Sequence, residues 1–152
     1  MERDRFKDQI AQLFSLRDGW HDGQGKAPDL LGLCWLATQM VEHGIIGEDM
    51  PPAYLYPTDA GGVQVEWSCG AVECSLEVDL EQQRGQWQAV PREDVEGDEW
   101  DSVDLSTLTG WWWIQWLLIY HRAFPNTVMV LEDEKDRRCI EEYRQELIRK
   151  GF

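Results

Sequence analysis

The sequence predicts an α+β fold: an antiparallel meander of three to five strands with helices packed on one face. Three observations carry this. Apolar residues recur at helical spacing near the N-terminus. They alternate strictly with polar ones from Val63 to Leu80, and again around Trp87. Helical spacing then returns in a tryptophan-rich segment after Asp104. A length of 152 residues suits a single domain, 1–152, with a core over about 1–124 and a helical C-terminal extension over about 125–152.

Each element has its own signature. Phe6, Ile10, Leu13 and Phe14 line one side of a first amphipathic helix that ends before Asp18-Gly19. A second helix is expected from Pro28-Asp29, with Asp29 as its cap and Leu30, Leu33, Cys34, Ala37, Met40 and Val41 as its apolar positions; Gly44 stops it. Tyr54-Leu55-Tyr56 is a short strand, and "PTDAGG" is a turn. Val63, Val65 and Trp67 then alternate with Gln64, Glu66 and Ser68. Val72, Cys74, Leu76, Val78 and Leu80 alternate with Glu73, Ser75, Glu77 and Asp79. A hairpin through "EQQRG" leads to a further strand over 86–90. Such alternation means one buried and one wet face. "PREDVEGDEWDSVD", 91–104, reads as an exposed acidic loop, and a helix follows from Ser106 to about His121. "TVMVL", 127–131, is a candidate edge strand, and a last amphipathic helix carries Cys139, Ile140, Tyr143 and Leu147.

Composition narrows the function classes. The longest apolar run, "WWWIQWLLIY", is too short for a membrane span, and the charged start "MERDRFKDQI" lacks the apolar core of a signal peptide; a cytoplasmic protein is expected. Cys34, Cys69, Cys74 and Cys139 form no CxxC pair, and His21, His43 and His121 are scattered. Small reduced thiols are expected, with no zinc site. The net charge is −15, and residues 42–104 hold sixteen acids against two bases, Arg84 and Arg92. A field of one sign repels nucleic acid and anionic membrane, and favours a basic partner.

Four segments in order, "GWHDGQGKAP", "YLYPTDAGGVQVEW", "VECSLEVDLEQQRGQW" and "VDLS" with the helix after it, resemble a group of small acidic bacterial proteins of uncharacterised activity. Their shared patterns read G-W-x-D-G-x-G-x-A-P and Y-P-T-x-x-G-G-V-Q-x-E-W. The resemblance covers about residues 15–120 and implies a shared fold but no activity. Gln83, Gln88 and Ala89 stand where that group has a more histidine-rich hairpin, and the chain beyond about Phe124 lies outside the pattern.

The glycine-rich loop from Gly19 to Asp29 contains His21, Asp22 and Lys26, but it follows a helix, and Lys26 precedes Ala27 rather than Ser or Thr. A phosphate-cradling loop needs the opposite context, so the loop is expected to be architectural, with Asp22 bonding backbone N–H groups and Trp20 plugging the core edge. Glu66, Glu73, Glu77 and Asp79 fall on the wet face of the meander. They can dock a basic surface, or hold Mg²⁺ as in a metal-dependent hydrolase; the lack of a neighbouring histidine, nucleophile or phosphate clamp favours docking. Glu93, Asp94, Glu96, Asp98 and Glu99 would steer the partner from the acidic loop. In the tryptophan helix, Trp113, Trp116, Leu117 and Tyr120 share one face, which leaves Trp111 and Trp112 pointing elsewhere: they are covered within the monomer by the C-terminal extension, or they are partner anchors, or the glue of a larger assembly.

The expected function is therefore non-enzymatic. The protein would bind a basic protein surface without cofactor or metal, as an inhibitor, immunity or antitoxin-like accessory factor of a bacterial defence or mobile-element system. Its partner would be a nucleic-acid-binding protein, whose phosphate sites the carboxylates fill. The alternatives are the metal-dependent hydrolase built on the sheet carboxylates and the structural subunit anchored by the tryptophan helix.

Overall fold

The computed structural model describes residues 2–70, 72–91 and 99–123, together with residues 142, 145, 146 and 149. The elements run α1 (Glu2–Phe14), α2 (Leu30–Glu42), β1 (Tyr54–Pro57), β2 (Val63–Cys69), β3 (Val72–Asp79), β4 (Arg84–Pro91), β5 (Glu99–Asp104) and α3 (Leu108–Ala123). All five strands form one antiparallel sheet in sequence order, β1-β2-β3-β4-β5. Short connections explain the order from β1 to β4, because consecutive strands joined by a few residues pair with each other.

Alternation decides which side chains go in. Val63, Val65, Trp67, Cys69, Val72, Cys74, Leu76, Val78, Trp87, Ala89 and Val103 are buried on one face and share a core with the helices. The helices contribute Phe6, Ile10 and Leu13 from α1, Leu33, Leu36 and Met40 from α2, and Trp111, Trp113, Ile114, Leu117 and Leu118 from α3. Fully burying such a side chain is worth roughly 1.5–3 kcal/mol, so this face supplies most of the stability. At its centre the Trp67 and Trp87 rings lie 5.9 Å apart.

Helices α2 and α3 have a local reason to begin where they do. Asp29 caps α2 by accepting from the Gly32 N–H at 2.8 Å, and the positive-φ residue Gly44 follows its end. Thr107 caps α3, its Oγ1 accepting from the Gly110 N–H at 3.1 Å. Gly110 is needed because α3 crosses the end of β5 closely. A Cβ there would lie 2.0 Å from the Asp104 carbonyl oxygen. α1 covers the free edge of β1, where the Gln9 amide accepts from Leu55 N–H (2.8 Å) and donates to the Ala53 carbonyl (3.1 Å), which protects an edge strand from unwanted pairing.

Several expectations change. The segment read as a loop ends in strand β5: Glu99 is its first residue, and β4 supplies the cross-strand hydrogen bonds that its acidic composition does not advertise. The buried stripe of α2 is Gly32, Leu33, Leu36 and Met40, whereas Leu30, Val41 and Cys34 are exposed. Trp111, a candidate partner anchor in the sequence, is core instead, at 1% exposed. Its indole N–H donates to the Leu105 carbonyl at 2.8 Å and its ring stacks on His43. α3 is covered on more than one side: Trp111 packs beside Trp35 and His43, and Trp113 reaches Asp101 of β5, whereas Leu108 and Ile119 are exposed. The expected strand at 127–131 and most of the final helix lie outside the described residues, as do Glu93, Asp94, Glu96 and Asp98.

Candidate interaction face

The other face of the sheet is where sequence and geometry meet. Cross-strand register places Tyr54, Glu66, Ser75, Gln88 and Trp100 in one row across all five strands, and Tyr56, Gln64, Glu77, Gln86 and Ser102 in the next. Beyond the second row Asp79, Arg84 and Asp104 form a third, and beyond the first lie Ser68, Glu73 and Val90. Directly paired residues project to the same side, so these form one surface.

That surface has a definite chemistry. Glu66, Glu73, Glu77, Asp79 and Asp104 face Arg84 as the single base among the described residues of the three meander strands and β5. Between them are amides and hydroxyls. Gln64 Nε2 donates to Glu66 at 2.8 Å, the Ser68 hydroxyl contacts both oxygens of Glu73 at 3.2 Å, and Gln86 reaches Ser102 at 3.3 Å. Glu66 and Glu73 are thus held in place by neutral side chains, and Asp79 accepts from the Glu81 and Gln82 N–H groups, both at 3.0 Å. Asp104 is held below the ordinary carboxyl value of 3.8, chiefly by the Ser106 hydroxyl and then by the Ser106 N–H.

Aromatic rings frame the face on both edges. Tyr54 and Tyr56 on β1 are 41% and 47% exposed, and Trp100 on β5 is 72% exposed. These are the exposed large aromatics among the described residues, and all three share the carboxylate face. Tyr54 already holds a cation. The Arg5 guanidinium lies 4.5 Å from its ring centroid while donating to the Glu2 carboxylate at 2.7 Å. At the hairpin end the face shares Glu77, Asp79, Arg84 and Gln86 with a groove of about 1070 Å³. Lys26, Leu30, Leu31 and Trp35 line its other side.

Of the residues expected to bind a partner, the structure brings Glu66, Glu73, Glu77 and Asp79 onto this one surface. Trp112 is half-exposed on α3, on the opposite side of the sheet, and Trp111 is core. Tyr54, Tyr56 and Trp100 were missed as site residues, although the alternation of Trp100, Ser102 and Asp104 with Asp101 and Val103 would have placed Trp100 outside. Asp101 points inward and accepts from the Trp113 indole at 2.9 Å.

The glycine-rich loop uses its own residues for closure. Gly19 N–H bonds the Gly25 carbonyl (2.8 Å), Ala27 N–H bonds Asp18 (2.9 Å), and Lys26 N–H ties the loop to the Asp59 carbonyl (2.9 Å). Asp18 therefore fills the backbone-bonding role expected of Asp22, which instead adopts φ 51°. Trp20 lies over Gly25 and stacks on His21 rather than plugging the core, and His21 reaches Asp59 at 2.9 Å in an exposed pair.

Two thiols sit on the inner face. Cys69 and Cys74 are buried, and Cys69 is held below the ordinary thiol value by a hydrogen bond with Cys74, against the effect of burial and helped by His121. Among the described residues no group of three or more His, Cys, Asp or Glu is arranged to hold a metal ion, and no helix is long and apolar enough to cross a membrane. No family model, curated protein or solved structure matches the chain.

Proposed function

We propose that the chain is a non-enzymatic interaction protein that engages a basic protein surface through the open face of its sheet. It would act as an inhibitor or accessory factor, in the manner of an immunity protein or antitoxin. A nucleic-acid-binding protein suits the role, because carboxylates on a firm sheet can occupy sites that otherwise receive phosphates. The observation that carries this reading is the coincidence, on one face, of the clustered carboxylates with every exposed large aromatic among the described residues. Interfaces favour Tyr and Trp as anchors, and charges around them steer encounter.

The test is capture from the native host at about 50 mM and about 500 mM salt, followed by surface plasmon resonance on the captured partner. A basic partner retained at low salt should dissociate faster from the variant carrying Glu66→Gln, Glu73→Gln and Glu77→Gln. A partner whose binding ignores both salt and these substitutions removes the reading.

A further inference from the structure

Resting on that reading, we infer that the open face selects arginine over lysine, and that its partner is an extended arginine-bearing segment lying across the strands between the tyrosines of β1 and Trp100 of β5. Charge complementarity sets the sign of the partner, since the face and the chain around it are strongly acidic. The choice of arginine comes from the pairing of rings with carboxylates. Tyr54 stands directly opposite Glu66, and Tyr56 shares a row with Glu77 across the intervening Gln64. Side chains paired across strands have Cβ atoms about 5 Å apart, so rings and carboxylates one or two strands apart, as Tyr56 is from Glu77, are within the span of one long arginine side chain that stacks by its planar guanidinium. A lysine ammonium is a hydrated point charge and gains less from such a cradle.

The molecule already contains one such cradle. Arg5 approaches α1's own neighbour Tyr54 with its guanidinium 4.5 Å from the ring centroid and 2.7 Å from a carboxylate oxygen of Glu2. The ring of Trp100 has no comparable burden: it is 72% exposed, and indole is the strongest of the aromatic faces toward cations.

The dimensions suit an extended chain. Neighbouring strands are about 4.8 Å apart, so Tyr54 and Trp100, at opposite ends of a five-strand row, are separated by roughly 19 Å. An extended hexapeptide covers about 20 Å, and its alternate side chains face the sheet. Ser75, Gln86 and Gln88, between the aromatic edges, offer hydrogen-bond partners to its backbone.

The experiment is isothermal titration of the full chain with two synthetic hexapeptides, alternating Arg-Ser and alternating Lys-Ser, at low salt, with a neutral oligosaccharide of six glucose units as a third titrant. The expected result is about tenfold tighter binding of the arginine peptide. Trp100→Ala should reduce that affinity to the level of the lysine peptide while thermal unfolding stays unchanged, and Tyr56→Ala should do so in part. Equal, salt-sensitive affinity for both peptides, indifferent to Trp100→Ala, overturns the arginine selectivity and leaves the acidic docking face standing. Failure of both peptides to bind overturns the docking face as well. Binding of the oligosaccharide alone, lost in Trp100→Ala, assigns the aromatic edges to carbohydrate and overturns both.

Discussion

The inner and open faces of this sheet are made by the same strands, one residue out of phase. Val65 and Glu66, Cys74 and Ser75, and Trp87 and Gln88 are chain neighbours, yet the first of each pair is buried and the second is half-buried or exposed. Even the tryptophans divide this way. Trp67 and Trp87 are in the core, and Trp100 is almost fully outside. Composition therefore says little about what a residue does here, and register says nearly everything. A slip of one residue would bury the glutamates and expose the core.

The largest effect expected from breaking this division is on the inner face. Trp67→Ala removes a fully buried ring from the centre of the core and should cost about 3–5 kcal/mol, read by chemical denaturation. Gly110→Ala tests how closely α3 sits on β5. The new methyl has backbone in its way, so α3 must shift, and a cost of about 1–3 kcal/mol is expected in the same assay. On the open face the pattern reverses. Trp100→Ala should change stability by less than about 0.5 kcal/mol but weaken partner binding by about 2 kcal/mol.

How much of this division is legible in the sequence depends on the element. Strands β2, β3 and β4 announce themselves, because their apolar residues alternate without interruption. β5 does not: three of its six residues are acidic, and only pairing with β4 makes it a strand. The apolar stripe of α2 is ambiguous for a different reason. Leucines occupy several phases of the helix, and its orientation is settled by the close approach of Gly32 to Leu80, where a Cβ would lie 2.8 Å from the Leu80 Cβ. That contact belongs to the tertiary fold. The carboxylate face was readable from alternation alone, whereas Trp100 takes its place on that face only once β5 joins the sheet.

Smaller effects sharpen the comparison further. Gly23 has φ +87° with open space around it, so Gly23→Val should cost about 1 kcal/mol or more through backbone strain alone. His21→Ala, in an exposed pair, should leave stability and partner affinity nearly unchanged; a large loss of function in a folded variant would move the site to this loop. The smallest effect is on pH dependence. The folded-state pKa of Asp104 is depressed, so its contribution is fully present above the unfolded value near 3.8 and is lost as pH falls through the folded value. Denaturation at a series of acidic pH values should therefore show a slightly shallower acid-side loss for Asp104→Asn than for the parent chain.

The division of labour between the faces is tested most directly by the indole N–H signals in a two-dimensional NMR spectrum. The chain has nine tryptophans, and the alternating Arg-Ser hexapeptide supplies the ligand. Titration at low salt should shift the Trp100 indole, assigned through its loss in Trp100→Phe, and leave the Trp67, Trp87 and Trp111 indoles of the core in place. Movement of the Trp112 indole on α3 with a stationary Trp100 would contradict the account, because the partner would then sit on the helical side of the molecule.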